Sequence, residues 1–134
     1  MRRNGMTLLF LIGVGMLWAS AQDTSTLSLD QQRKAIEVVR VLNTAEAQFF
    51  DKGSHYGSLD DLRSSGALKE SQSMLSSSIE MPSNGQPLTD FSVQLSTSVD
   101  KNHYQISITR SAKPFLIGFF SDERGLIYEG HPLK

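Results

Sequence analysis

The apolar residues of this chain recur at two different spacings, and the change from one to the other falls near residue 90. Before it, Ala35, Val38, Leu42, Ala45 and Phe49 return at steps of three and four, while Arg33, Glu37, Arg40 and Gln48 lie elsewhere on the wheel. That spacing predicts an amphipathic helix of about five to six turns. After it, Phe91, Val93 and Leu95 alternate with Ser92, Gln94 and Ser96, and Tyr104, Ile106 and Ile108 alternate with Gln105, Ser107 and Thr109. A period of two is the mark of strands with one buried face. A long helix followed by a run of strands predicts an α+β fold, with the helix packed on one face of an antiparallel sheet.

Local signals set the boundaries. Ser28-Leu29-Asp30-Gln31 has the S-x-x-Q form of a capping box, which places the helix start there. Asp51-Lys52-Gly53-Ser54 ends it, with Gly53 expected in the left-handed conformation that a helix C-terminus commonly needs. Ser58 ahead of Leu59-Asp60-Asp61-Leu62 opens a short second helix, with Gly66 as its stop. Residues 71 to 90, rich in serine and closing on Pro82-Ser83-Asn84-Gly85-Gln86-Pro87, are expected to form irregular loop. Ser98 to Asn102 makes a turn between the first two strands. Phe115 to Phe120 is apolar on both faces and is expected as a third, central or helix-covered strand. Asp122-Glu123-Arg124-Gly125 is a turn with Asp first and Gly last, and Leu126 to Glu129 returns as the fourth strand.

Ahead of the helix, Arg2 and Arg3 precede an apolar stretch, Leu8 to Trp18, that ends in Ala19-Ser20-Ala21. These are the charged, apolar and small-residue parts of a secretory signal, with Ala19 and Ala21 at the signal peptidase site. As a helix, Met6 to Trp18 would reach about 20 Å against the roughly 30 Å of a bilayer's hydrocarbon core. Residues 22 to 28 then form a polar linker. Of 134 residues, removal of 21 leaves 113, enough for one domain over 29 to 134. Loss of Arg2 and Arg3 takes the formal charge from -1 to -3, which offers nucleic acid no basic field. The chain has no cysteine, so neither a disulfide nor a lipid on a lipobox cysteine is available to it.

Three blocks resemble type IV pilin-like and pseudopilin-like proteins, particularly the small ones of acidobacterial type. Val41-Leu42-Asn43-Thr44-Ala45-Glu46-Ala47-Gln48-Phe49-Phe50 is similar to the pilin run INTAEATY, and Tyr56-Gly57-Ser58-Leu59-Asp60-Asp61-Leu62 to the YxSLxDL that follows it. Phe119 to Ile127 is similar to the closing FxxDxxGxI hairpin. The blocks occur in the family's order and span most of residues 33 to 129. The resemblance implies a pilin-like head and an alternative processing site after Gly5, giving a chain that begins at Met6. It also implies a glutamate five residues into that chain, where it would compensate a neighbouring subunit's terminal amine. Phe10 stands there instead. Together with Ala19-Ser20-Ala21, this favours a pilin head released by ordinary signal peptidase.

The chemistry-bearing residues make no catalytic pattern. His55, His103 and His131 are isolated in sequence, with no metal-ligand spacing. Asp60 and Asp61 suit a helix first turn, and Asp122 with Glu123 lacks the spacing of a calcium loop. No nucleophile elbow, phosphate-cradling loop or dinucleotide fingerprint accompanies the abundant serines. Neither a cofactor nor a metal is therefore expected. Phe49 lies on the helix's apolar stripe; Phe50 lies off it and is the candidate contact surface, as is one of Phe119 and Phe120, which point to opposite sheet faces. The expected function is that of a noncatalytic exported envelope protein, a minor or divergent part of a type IV pilus or type II secretion-like system. The alternative is a soluble periplasmic binding or interaction module with a pilin-like fold. Its expected partners are other pilin-like or envelope proteins, in the periplasm or outside the cell, with inner-membrane anchoring if residues 6 to 21 are retained.

Overall fold

Helix α1, Leu29–Gly53, starts at the capping box: the Ser28 hydroxyl accepts from the Gln31 amide at 3.2 Å, and the Gln31 side chain accepts from the Ser28 amide at 3.2 Å. This computed structural model describes residues 28–81, 87–89, 91–110 and 118–130. Gly5, Met6, Phe10, Ala19, Ala21, most of the 22 to 28 linker, Phe115 to Ile117 and His131 lie outside the described residues. Helices α2, Leu59–Ser64, and α3, Ala67–Met74, follow α1, and then come strands β1, Phe91–Thr97, β2, Tyr104–Arg110, β3, Gly118–Asp122, and β4, Ile127–Gly130. The strands form one antiparallel sheet in the order β1-β2-β3-β4. The fold is α+β, with the long helix on one sheet face.

Two helix boundaries differ from expectation. The left-handed residue that ends α1 is Ser54, at φ 54°, whereas Gly53 is still helical. The His55 ring packs over Gly53, where a Cβ would lie 2.9 Å from it and would displace that side chain. Gly66, at φ 81°, does not simply stop α2 but caps the start of α3, a helix in what the sequence presents as the beginning of a serine-rich loop. Ala67, Leu68 and Ser71 are its buried residues. Serine occupies one place on this apolar stripe by donating to the Leu68 carbonyl at 2.8 Å, which satisfies its hydroxyl inside the helix.

The third helix explains why α1 buries more than a single stripe. Val39, Val41 and Glu46 are inaccessible along with Ala35, Val38, Leu42 and Ala45, because α1 meets the sheet on one side and α3 on another. Phe91, Val93, Tyr104, Ile106, Ile108 and Phe119 supply the sheet's share of the core. The strand alternation holds through β1 and β2, with Val93 opposite Ile108 and Ile108 opposite Phe119. β3 runs on to Asp122 because Ser121 and Asp122 still pair with Ile106 and Gln105. Consequently Phe119 faces the helix and is 1% exposed, whereas Phe120 is half-buried on the other face. β4 begins one residue later than expected, and Leu126 is 55% exposed.

This register predicts unequal costs for neighbouring truncations. Phe119→Ala is expected to lose about 3 to 5 kcal/mol of stability in chemical denaturation, as a core phenylalanine does. Phe120→Ala should lose roughly 1 kcal/mol, since it vacates only a half-buried site. Equal losses would contradict the assignment of the two faces.

Candidate interaction site

Asn43 and Glu46 put polar side chains on the buried side of α1, one turn apart. A buried amide or carboxyl must find partners or forfeit the free energy of its lost hydration. Asn43 finds them across the sheet: its Nδ2 donates to Ser121 Oγ at 2.8 Å, and its Oδ1 accepts from the Tyr104 hydroxyl at 2.9 Å. The Ser121 hydroxyl is also 2.8 Å from the Leu126 carbonyl, which draws the start of β4 into the same cluster. Glu46 reaches the loop after α1, where its Oε2 accepts from the Gly57 amide at 3.0 Å. Gly57 is itself buried, and a Cβ on it would stand 3.0 Å from both Phe49 and Asp61. Only glycine lets this backbone approach the helix so closely.

The Glu46 carboxyl carries an unusual electrostatic load. Its side chain is inaccessible, and Oε1 has no hydrogen-bond partner among the described residues. Burial pushes its pKa up to about 7; the Gly57 amide opposes this, and the charge of Asp61 adds to it. Burial also raises the Tyr104 hydroxyl, with Glu46 the next contributor. Asp61 moves the other way, because the Ser58 amide donates to its carboxylate at 2.8 Å and holds it below the usual range. Asp60, its neighbour, pairs instead with Arg63 at 3.0 Å, so the two adjacent carboxylates serve separate structural contacts.

An aromatic corner adjoins this junction. Tyr56 lies between Phe50, with ring centroids 4.6 Å apart, and Tyr104, at 4.8 Å. The Tyr56 amide donates to the Lys101 carbonyl at 2.9 Å, which ties the loop to the β1–β2 turn. Phe50 is thus half-buried and stacked, presenting one side of its ring at the surface. Phe49 packs against the core and meets His55 edge-on at 5.2 Å.

The two described histidines, His55 and His103, engage separate partners. His55 Nδ1 lies 2.7 Å from the Gly53 carbonyl, and His103 Nδ1 lies 2.9 Å from Glu123 Oε1. Among the described residues, no three His, Asp or Glu side chains are grouped to hold a metal ion, and no helix is long and apolar enough to cross a membrane. The site residue that sequence reasoning passed over is Glu46, present in the helix block but not marked as buried. Val39, Leu42 and Glu46 stand at i, i+3 and i+7, a spacing that was available as the signal. Comparison of the chain with protein-family models, with curated proteins and with solved structures returns no match.

The raised Glu46 carboxyl makes stability depend on pH with a defined sign. The folded chain holds this proton up to about pH 7, whereas an unfolded glutamate releases it near 4.5. The contribution is therefore fully present below 4.5 and is lost as pH rises to about 7, a window worth roughly 3 kcal/mol. Denaturation at several pH values should show that fall in the wild type, and Glu46→Gln should flatten it while raising stability above pH 7. Identical slopes in the two proteins would contradict the buried-carboxyl assignment.

Proposed function

We propose that this chain is a noncatalytic, exported pilin-like protein of the cell envelope, acting through protein–protein contact as a minor or divergent part of a type IV pilus or type II secretion-like system. The observation that carries this reading is where its three resembling blocks meet. Asn43 and Glu46 come from the first block, Gly57 from the second, and Ser121 and Leu126 from the third, and they bond to one another at the junction of helix, loop and sheet. The blocks are thus the parts that lock the head together, and a shared head architecture would require them in this order.

Two sequence features favour the alternative, a periplasmic interaction module that keeps the head and dispenses with the filament. Phe10 occupies the place where assembly calls for a carboxylate, and Ala19-Ser20-Ala21 offers ordinary signal peptidase a site. An unpaired amine in an apolar filament core would be costly, and nothing near Phe10 offsets it.

Expression of the full chain in a bacterial host, followed by fractionation and N-terminal sequencing, tests the proposal. Export with loss of the leader is the expected result. A chain beginning at Gln22 in the soluble periplasm supports the released module, and one beginning at Met6 in the membrane fraction supports the assembled subunit. A cytoplasmic chain that retains residues 1 to 21 would overturn both.

A further inference from the structure

On β1 and β2 the sheet face turned away from α1 carries uncharged polar side chains. Ser92, Gln94 and Ser96 on β1 and Gln105, Ser107 and Thr109 on β2 leave it without the lysines and glutamates that commonly coat a solvated sheet. Near the hairpin turns this face is concave, with a cavity of about 530 Å³. Its floor is the row Ser96, Gln105 and Asp122, in register across three strands. The next row carries the cross-strand pair Phe120 and Tyr128.

Phe120 leaves the floor open because of two glycines. Gly118 and Gly130 are register partners, and a Cβ on either would lie 2.9 Å from the Phe120 ring. The ring therefore leans over the glycine pair, away from Asp122. Tyr128 stays 43% exposed, with the Arg124 guanidinium 5.7 Å from its ring centroid. The aromatic surface thus borders the polar floor without filling it.

The charges in this groove cancel locally. Arg124 donates from Nε to both Asp122 carboxylate oxygens at 3.0 Å, and from its amide to Asp122 Oδ1 at 3.0 Å. An anion would have to displace Asp122 from Arg124, and a cation would have to displace Arg124 from Asp122. Hydrogen-bonding capacity nevertheless remains. The Ser96 hydroxyl and the Gln105 side-chain amide carry no hydrogen bond among the described residues, and His103 commits only Nδ1, to Glu123. The Arg124–Asp122 pair keeps further N–H donors and carboxylate lone pairs for a ligand.

We propose that this groove binds a neutral saccharide. A sugar ring presents an apolar C–H face and a rim of hydroxyls that both donate and accept. Tyr128 offers the aromatic surface for the first; Gln105, Ser96 and the Asp122–Arg124 pair offer acceptors and donors for the second. Mutual neutralisation of Asp122 and Arg124 selects uncharged sugars over uronic acids and phosphates. This assignment rests on the groove alone and is independent of export or filament assembly.

Titration of the protein, as processed by its host, with neutral oligosaccharides of glucose, galactose, mannose and N-acetylglucosamine tests it by backbone amide NMR. Trigalacturonate serves as the anionic control. At millimolar concentration at least one neutral oligosaccharide should shift the amides of Gln105, Phe120 and Tyr128 while leaving those of α3 in place. Tyr128→Ala and Gln105→Ala, both on the outer face, should each weaken that binding roughly tenfold. Absence of shifts with every neutral oligosaccharide, tighter binding of trigalacturonate, or unchanged affinity in both folded variants would overturn the proposal.

Discussion

The hydrogen bonds that Asn43 and Glu46 send out from one turn of α1 determine how the rest of the molecule is arranged. Apolar burial holds the helix to the sheet, but burial is non-directional, and a stripe of alanines, valines and leucines has several near-equivalent ways to lie on a sheet. Hydrogen bonds remove that freedom. Each satisfied bond contributes only about 0.5 to 1.5 kcal/mol, but a buried group left without its partner costs about 1 to 3 kcal/mol. A slip of α1 would separate Asn43 from Ser121 and Tyr104 and Glu46 from Gly57 together, so the alternatives are penalised more than the native position is rewarded.

From that junction the surface features follow in order. Glu46 draws in Gly57, which sets the course of residues 54 to 58 and places Tyr56 between Phe50 and Tyr104. Tyr56 then fixes the β1–β2 turn through Lys101. On the sheet, Ser121 faces the helix, so its neighbours Phe120 and Asp122 must face away. The groove on the outer face is therefore a consequence of the inward lock.

Much of this was legible in the sequence, and the missing parts share a cause. The Ser28 and Ser58 caps are read from four consecutive residues, and the β1 and β2 faces from simple alternation. Helix α3 escaped because serine is a weak helix signal and Ser71 interrupts its apolar stripe, while Gly66 reads equally as a stop or a start. The left-handed residue at the end of α1 falls on Ser54 and not on Gly53, and the His55 ring that packs over Gly53 is a contact that spacing does not encode. Glu46 stands at a buried spacing from Val39 and Leu42, but what holds a carboxyl there is visible only once the Gly57 amide is seen to bond it. The groove depends on Gly118 standing opposite Gly130, and that pairing exists only once strand register is known.

Hydrogen exchange at the Gly57 amide tests the central claim most directly, because this single N–H is donated to the buried Glu46 carboxyl and to no secondary structure. If the junction governs the fold, the amide exchanges only through global unfolding, with protection matching that of Leu42 and Ala45 in the middle of α1. Exchange at the rate of an open loop, while the α1 amides stay protected, would show that the helix holds its place without the lock.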